Sequence, residues 1–163
     1  MSVVVQKDFE DILRHAAGGR HRLALVVGEA CSGKTTLLRD IAAAYAMRFV
    51  SLGVPLGVRL QELSPRMRPL AIEDAVRQLF DGDTKGVCMD NTDILFDPAL
   101  RCDPLRLALG ISQNTSVVFS LMGRIEGRRF VRGYPDHPEF YSEELPFVPL
   151  VTLDGGGSTF HAF

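Results

Sequence analysis

The chain has 163 residues, of which 46% are hydrophobic and 23% are charged, a size and balance typical of one soluble globular domain. Its formal net charge of -2 at pH 7 excludes a basic field over the whole surface, so nucleic-acid binding cannot be inferred from total charge. Cys31, Cys88 and Cys102 show neither a Cys-x-x-Cys pair nor zinc-type spacing, which favours a reducing compartment. Because no signal-peptide pattern or membrane-length apolar run is present, we predict a cytoplasmic protein that does not enter a membrane.

The first segment, residues 1–20, is predicted to contain a helix. Apolar side chains in residues 5–17 recur at spacings of three and four, which places them on one helical face, and Gly18 and Gly19 would end the helix. We expect this helix to pack on one face of a sheet, with its polar side in solvent.

Residues 28–35, called here the phosphate loop, match the pattern G-x-x-x-x-G-K-[ST] at every fixed position. A short apolar run at 23–27 precedes the loop, and a segment at 35–47 without Gly or Pro follows it. This order predicts a buried strand, a tight loop and a helix, the context in which the pattern binds phosphate. The residues that we expect to contact a nucleotide are Gly28, Glu29, Ala30, Cys31, Ser32, Gly33, Lys34, Thr35 and Thr36.

The residue types of the phosphate loop suit a nucleoside triphosphate. Gly28 and Gly33 let the backbone curl so that successive N–H groups point at an anion. Lys34 would reach the β- and γ-phosphates, and the Thr35 hydroxyl would ligate Mg²⁺. The start of the following helix adds its positive dipole end and its unpaired N–H groups. ATP and Mg²⁺ are therefore the predicted cofactors.

A second apolar segment, at 86–90, ends in the acid Asp90. We expect a parallel strand beside the strand of the phosphate loop, with the Asp90 carboxylate at its carboxyl end. Because a hard cation prefers oxygen ligands, Thr35 and Asp90 are the predicted metal-binding residues. The alternative for Asp90 is the capping of a turn or helix.

The residues around Asp90 do not decide which side chain would act as the general base in hydrolysis. Many hydrolysing P-loop proteins with an added strand between the two motifs have Glu directly after this Asp, whereas this chain has Asn91, which can orient a water but cannot take its proton. Asp93 is the first candidate base, with a turn cap as its alternative, and Glu62 on a neighbouring strand is the second candidate. Ser120 ends another apolar run and is a candidate sensor of the γ-phosphate or a plain strand-end serine.

The most polarised part of the chain begins at residue 124. Four arginines fall within nine residues, whereas residues 133–163 contain acidic side chains and no Lys or Arg. Blocks of opposite charge indicate either a clamp within the chain or complementary surfaces on neighbouring subunits of a homo-oligomer, where one arginine can act on the nucleotide of the next subunit. The same arginines can also bind nucleic-acid phosphates or lie in a solvated loop. The four are Arg124, Arg128, Arg129 and Arg132, and the predicted catalytic set is Lys34, Asp90, Asn91, Asp93, Ser120, Arg124, Arg128 and Arg129.

Strands and helices alternate along the chain. The strands are predicted at 23–27, 49–52, 86–90 and 116–120. This alternation indicates the α/β class, and with the phosphate loop it predicts a P-loop NTPase three-layer sandwich with a mostly parallel sheet, an ASCE/AAA-like minimal core without a separate lid domain.

The connections and the chain end carry further expectations. Residues 53–57 are expected to break the second strand, residues 58–60 to resume extended structure, and residues 69–80 to form a helix. We expect residues 1–153 to form a single domain that ends in an Arg-rich and then acidic extension at 124–153. Its last part, residues 146–153, contains prolines that suit an edge strand at most, and residues 154–163 are predicted to be a flexible tail.

On these residues, the chain resembles the BrxF family, small P-loop proteins of BREX bacteriophage-exclusion systems. The likeness extends roughly from Asp8 to Leu145 and rests on the single short domain, the G-E-A-C-S-G-K-T-T loop, the segment M-D-N-T-D-I-L-F at 89–96 and the run G-Y-P-D-H-P-E-F-Y at 133–141. The resemblance implies a nucleotide-binding component of an antiviral defence system that works beside larger ATPase, methyltransferase and phosphatase-like proteins. It also implies nucleotide and Mg²⁺ contacts for residues 28–35 and Asp90.

Three functions are open on the sequence. The first is an ATP-hydrolysing subunit that acts as an oligomer or with partner proteins, with DNA as a candidate target, and whose hydrolysis is weak or partner-dependent because Asn91 replaces Glu. The second is a small-molecule kinase in which residues 124–132 form a mobile lid. It ranks lower because small kinases usually have Gly at the position of Cys31. The third is a non-hydrolysing nucleotide switch or scaffold.

Overall fold

The computed structural model describes residues 10–80 and 85–161, apart from residues 12, 15 and 17. The strands are β1 (Leu23–Gly28), β2 (Arg48–Ser51), β3 (Val87–Asp90), β4 (Val117–Met122), β5 (Arg124–Glu126), β6 (Arg129–Arg132), β7 (Tyr141–Glu144), β8 (Leu150–Asp154) and β9 (Gly157–His161). The helices with complete bounds are α1 (Lys34–Ala44), α2 (Gly53–Gln61), α3 (Arg68–Arg77) and α4 (Pro104–Ile111). Two short 3₁₀ helices, Thr92–Phe96 and Pro98–Leu100, follow β3.

Six of the strands form one sheet in the order β2-β3-β4-β1-β8-β9. Every neighbouring pair in this sheet is parallel except β8 and β9. The four strands predicted from the sequence are all present, with bounds shifted by one or two residues. The predicted α/β class with a mostly parallel sheet is therefore confirmed.

The place of β3 in the sheet corrects the sequence prediction. We expected the strand that ends in Asp90 to lie beside β1, but β4 lies between them and pairs with both. The side chains of β4 are buried from Val117 to Leu121. A strand that is apolar on both faces is stable in the interior of a parallel sheet, where both faces are covered. Consequently Asp90 and Ser120 lie near the ends of adjacent strands.

Side chains of β1 alternate between two apolar cores, one on each face of the sheet. Leu23, Leu25 and Val27 belong to the core that contains residues of α2, α3 and α4, whereas Ala24 and Val26 pack with α1. The molecule thus has three layers, with the sheet in the middle.

The N-terminal helix prediction is confirmed where it can be compared. Residues 10, 11, 13, 14, 16 and 18 are helical, and Leu13 packs on the α1 side of the sheet. The rest of the predicted segment lies outside the described residues. No helix in the described part of the chain combines the length and the apolarity needed to cross a membrane.

The segment after β2 is helical, so the predicted break at 53–57 and the extended stretch at 58–60 are both wrong. Leu56 and Leu60 are four residues apart and buried, which places them on one face of α2 against the core. Pro55 lies in the first turn, where backbone N–H groups have no intrahelical partner, so it does not interrupt the helix. Glu62 follows at the exposed end of α2 rather than on a strand.

The Arg-rich segment forms a second sheet of three antiparallel strands, β5, β6 and β7. Phe130 of β6 is fully buried and joins the core on the α2–α4 side of the large sheet. Gly123 connects β4 to β5, and a Cβ there would lie 2.5 Å from Val131 O and 2.7 Å from a ring carbon of Phe130. The absence of a side chain at Gly123 therefore lets the small sheet fold back closely onto the end of β4.

The chain end corrects two further predictions. Residues 150–154 form β8 beside β1, which is an interior position and not an edge, and residues 157–161 form β9 where a tail was predicted. Leu150 and Val151 are buried, which stabilises the strand. Pro149 precedes β8, so its missing N–H removes no donor within the strand, and its carbonyl accepts a hydrogen bond from Leu25 N at 2.9 Å.

Replacing Gly123 by Ala is expected to lower the free energy of unfolding by about 1–3 kcal/mol, because the new methyl group meets backbone and ring atoms that cannot both withdraw. The matched change Gly110→Ala lies in α4, where the nearest atoms are 3.7 Å away, and should raise stability by roughly 0.5–1 kcal/mol. Urea denaturation of the two variants and the wild type measures both effects. Equal stability of the two variants would contradict this account of the junction.

Candidate functional site

The phosphate loop connects the end of β1 to the start of α1. A Cβ on Gly28 would lie 2.7 Å from Leu153 O, so only glycine fits where β1 gives way to the loop. Gly33, directly before α1, has φ 95°, and Cys31 has φ 60°. These left-handed residues turn the backbone sharply, as a loop that surrounds an anion requires.

Lys34 lies across the phosphate loop. Its Nζ donates hydrogen bonds of 2.7 Å to both Gly28 O and Glu29 O and has a longer contact of 3.4 Å with Ser32 Oγ. Burial lowers the pKa of Lys34, and the carboxylates of Asp90, Asp93 and Glu29 oppose this shift. The effect of burial is the larger one, so the pKa is lowered on balance. An anion bound in the loop would act in the same direction as the carboxylates and stabilise the charged ammonium.

Asp90 is the buried acid of the site, with 2% of its surface exposed. Its Oδ2 accepts a hydrogen bond of 2.6 Å from Thr35 Oγ1, and its Oδ1 accepts one of 2.9 Å from Ser120 Oγ. The structure thus brings together three predicted site residues that come from α1, β3 and β4. Two hydroxyl donors also satisfy a carboxylate that would be costly to bury alone.

The residues after Asp90 turn sharply into the first 3₁₀ helix. Asn91 is left-handed, with φ 50°, and its Nδ2 donates a 2.7 Å hydrogen bond to Ser51 Oγ at the end of β2. Thr92 is buried and donates a 2.6 Å bond to Ser120 O. Sequence reasoning missed Ser51 and Thr92, because their partners come from other strands.

Residues of the phosphate loop, of β3 and β4 and of the turn after Asp90 surround a cavity of about 350 Å³, within the range of small-molecule sites. Its lining consists of Ala30, Cys31, Ser32, Gly33, Lys34, Thr35, Asp90, Asn91, Thr92, Asp93, Ser120 and Met122. We call it the phosphate cavity. Ser32 and Gly33 also line a second cavity of about 500 Å³, which Thr36 and the β8–β9 hairpin share. Glu62, a predicted alternative base, does not line the phosphate cavity.

The four arginines do not act as a group. Arg124 bonds Glu126 at 2.7 Å, Arg128 stacks on Phe147 with a 4.1 Å distance to the ring centroid, and Arg129 bonds Ser142 O at 2.6 Å. None of the four arginines lines the phosphate cavity itself. Within this chain the structure therefore does not bring Arg124, Arg128 or Arg129 to the predicted catalytic set.

Arg132 was not in the predicted catalytic set, although it belongs to the arginine cluster, and it reaches the site through Asp93. Its Nη1 donates a 2.5 Å hydrogen bond to Asp93 Oδ1, and Asp93 lines the phosphate cavity. Arg132 is two residues from the buried Phe130 and so lies on the same face of β6, but Val131 between them is buried as well, so the strand carries no alternation that would have identified Arg132.

Comparison with protein-family models, with curated proteins and with solved structures found no match for this chain. A curled loop at a helix start and the Lys34 ammonium suit an anion, while the oxygens of Thr35 and Asp90 suit a hard divalent cation. A phosphate chain with a bound divalent cation combines both requirements.

The three cysteines should differ in reactivity. Burial raises the pKa of the Cys88 thiol to about 12. The pKa of Cys102 is raised to about 11, by burial and by the nearby carboxylates of Asp103 and Glu73. Cys31, in contrast, is exposed on the phosphate loop. Near pH 8, roughly one Cys102 thiol in a thousand is a thiolate, so iodoacetamide should modify Cys31 first. Mass spectrometry of peptides from the folded protein measures the order.

Unfolding the protein in urea before alkylation supplies the control, because all three thiols should then react at similar rates. Raising the pH towards 11 should speed the reaction of Cys102. Modification of Cys102 as fast as Cys31 in the folded protein would show that the burial described for it is wrong.

Proposed function

We propose that the chain binds ATP with Mg²⁺ and hydrolyses it at the phosphate cavity. The observation that carries the proposal is the 2.6 Å hydrogen bond from Thr35 Oγ1 to Asp90 Oδ2. It joins the hydroxyl that follows the loop lysine to an acid at a strand end, two groups that a Mg²⁺–triphosphate site needs side by side.

The residues present fit a magnesium ion. Thr35 and Asp90 would hold it, since both offer oxygen and both lie at the cavity that the phosphate loop lines. When bound, Mg²⁺ would neutralise charge on the phosphate oxygens. Ser120 would keep the Asp90 carboxylate in place through its 2.9 Å hydrogen bond.

The protein groups around the terminal phosphate would act mainly by position and charge. On nucleotide binding, the Lys34 ammonium would give up its hydrogen bonds to the carbonyls of Gly28 and Glu29 and donate to phosphate oxygens instead. The side chain already lies over the loop, so this change needs only a small movement. Asp93 lines the same cavity and is the carboxylate that we assign to orienting the attacking water. Asn91 lines the cavity as well and can donate or accept a hydrogen bond there.

The order of the strands supports the same proposal. The strand of the phosphate loop and the strand of Asp90 are separated by β4, which contributes Ser120 to the site. An added strand between the two motifs is a feature of the ASCE/AAA-like P-loop class, and ligands of open parallel sheets bind at the carboxyl ends of strands.

The kinase and switch alternatives have less support. A mobile lid needs arginines that can move freely, whereas Arg124, Arg129 and Arg132 each bond a residue of the three-stranded sheet or its loops. A non-hydrolysing switch needs no carboxylate at the terminal phosphate, yet Asp93 lines that cavity. Phosphate release without an acceptor molecule separates hydrolysis from both alternatives.

The wider role that we propose is that of an ATPase component of a BREX-type bacteriophage-exclusion complex in the cytoplasm, acting as a homo-oligomer or with partner proteins and with DNA as a candidate target. Its support is the resemblance to the BrxF family in the phosphate loop and at 89–96 and 133–141. Arginines that act on a neighbouring subunit stay part of this proposal for Arg124, Arg128 and Arg129.

Lys34→Ala should weaken the binding of a fluorescent ATP analogue roughly 10- to 100-fold, because it removes charge-assisted hydrogen bonds to phosphate. Lys85→Ala, which removes an exposed lysine outside the cavity, is the matched control and should bind like the wild type. Fluorescence anisotropy with and without Mg²⁺ measures binding, and ATP with Mg²⁺ should also slow alkylation of Cys31.

Thr35→Val should abolish the increase in ATP affinity on addition of Mg²⁺ and most phosphate release, since it keeps the shape of the side chain but removes the hydroxyl. Thr35→Ser retains the hydroxyl and should preserve both. Equal Mg²⁺ dependence in the two variants would contradict the metal assignment, and an absence of ATP binding in the wild type would sink the proposed function.

The defence role has a separate test. In bacteria that carry the remaining genes of such a system, Lys34→Ala should restore phage plating by several orders of magnitude, while Lys85→Ala should not. Full protection by Lys34→Ala would show that nucleotide binding is not needed for exclusion.

A further inference from the structure

We propose that Arg132 is the positioning residue of the phosphate cavity: it orients the Asp93 carboxylate and neutralises it beside the terminal phosphate. The inference rests on the proposed function and deepens it. Arg132 would then act on the nucleotide bound by its own chain, unlike Arg124, Arg128 and Arg129, which are proposed to act on a neighbouring subunit.

Arg132 is fixed on several sides. Its guanidinium donates from Nη1 to Asp93 Oδ1 at 2.5 Å and from Nη2 to Glu139 Oε2 at 3.1 Å. It also lies 4.8 Å from the ring centroid of Phe96, and its side chain is only 11% exposed. A planar guanidinium that bridges two carboxylates and stacks on an aromatic ring has one orientation, which a flexible ammonium would not have.

The position of Arg132 follows from the packing of the small sheet. Phe130, on the same face of β6, is buried and lies 6.1 Å from Phe96 between ring centroids. Phe96 ends the 3₁₀ helix that contains Asp93. The same aromatic contact therefore seats β6 on this helix and brings Arg132 to Asp93.

Asp93 needs such a partner because of the charge that surrounds it. Its side chain is 41% exposed and lines the cavity that also contains Lys34 and the buried Asp90. A triphosphate would add further negative charge at this place, and an unpaired carboxylate would repel the terminal phosphate most strongly. The Arg132 guanidinium bonds Oδ1 and offsets that repulsion, and in the proposed role the other oxygen of Asp93, Oδ2, orients a water.

Removal of both charges in a double variant distinguishes this role from a purely structural one. Arg132→Gln should lower the affinity for ATP relative to ADP by roughly tenfold, because only ATP places a phosphate beside the uncompensated Asp93. Asp93→Asn in the same chain removes the repelling charge, so the double variant should regain the wild-type ratio of ATP to ADP affinity. If Arg132 served the fold alone, the double variant would be no better than Arg132→Gln.

Hydrolysis gives a second readout. Phosphate release in a single turnover should fall about equally in Arg132→Gln, Asp93→Asn and the double variant, because both residues act through the same carboxylate. Arg132→Lys keeps the charge but not the bridging geometry, so it should retain the ATP to ADP ratio and lose turnover. The matched control is Arg106→Gln, an exposed arginine of α4 that pairs with Asp103 away from the cavity and should change neither quantity.

Calorimetric titration of ATP and ADP into the wild type and these variants, with thermal unfolding of each variant, decides the question. Restoration of the affinity ratio in the double variant supports the proposal. An unchanged ratio in Arg132→Gln, with a wild type that binds ATP, overturns it, and Arg132→Lys provides the comparison should Arg132→Gln fail to fold. A wild type that binds neither nucleotide refutes the proposed function itself.

Discussion

The buried carboxylate of Asp90 is the constraint on which the site depends. A charged group with 2% exposure must find hydrogen-bond donors within the protein, and Asp90 finds them in Thr35 and Ser120. Because these donors belong to the helix after the phosphate loop and to the strand between the two motifs, satisfying one acid fixes three elements relative to one another. Removing either hydroxyl would leave a carboxylate oxygen short of a donor, which costs about 1–3 kcal/mol. The hydrogen bonds that stabilise the buried Asp90 thus also place its carboxylate beside the Thr35 hydroxyl, the arrangement that suits a metal ion.

A second requirement is the close fit of the small sheet against the large one. Gly123 permits the approach and the aromatic contact of Phe130 with Phe96 holds it. This fit places Arg132 over Asp93, whereas Arg124 and Arg129 meet partners within the small sheet or its loops. The contact between Phe130 and Phe96 therefore supports both the apolar packing of the small sheet and the pairing of Arg132 with Asp93. A substitution that disturbs this contact should also disturb the ion pair.

The sequence predicted those features of the fold that depend on the local pattern of residues. Apolar runs located the first four strands of the large sheet, and the spacing of Gly28, Gly33 and Lys34 located the loop. It failed where tertiary contacts decide: Leu56 and Leu60 bury one face of a helix across a stretch that Gly and Pro mark as broken. The pairing of Arg132 with Asp93 joins residues 39 positions apart, and nothing in local spacing distinguishes it from other acid–arginine pairs.

The central place of β1 in the sheet also determines when the segment at 28–35 can reach its folded conformation during synthesis. The loop emerges early, but its strand pairs with β4 at residues 117–122 and with β8 at residues 150–154. Contacts this distant in sequence form late and slowly. A nascent chain long enough to contain the complete motif would still lack both flanking strands, so ligand binding could stabilise it only after nearly the whole domain has left the ribosome. Vectorial synthesis therefore delays assembly of a strand that is made well before either of its two neighbours in the sheet.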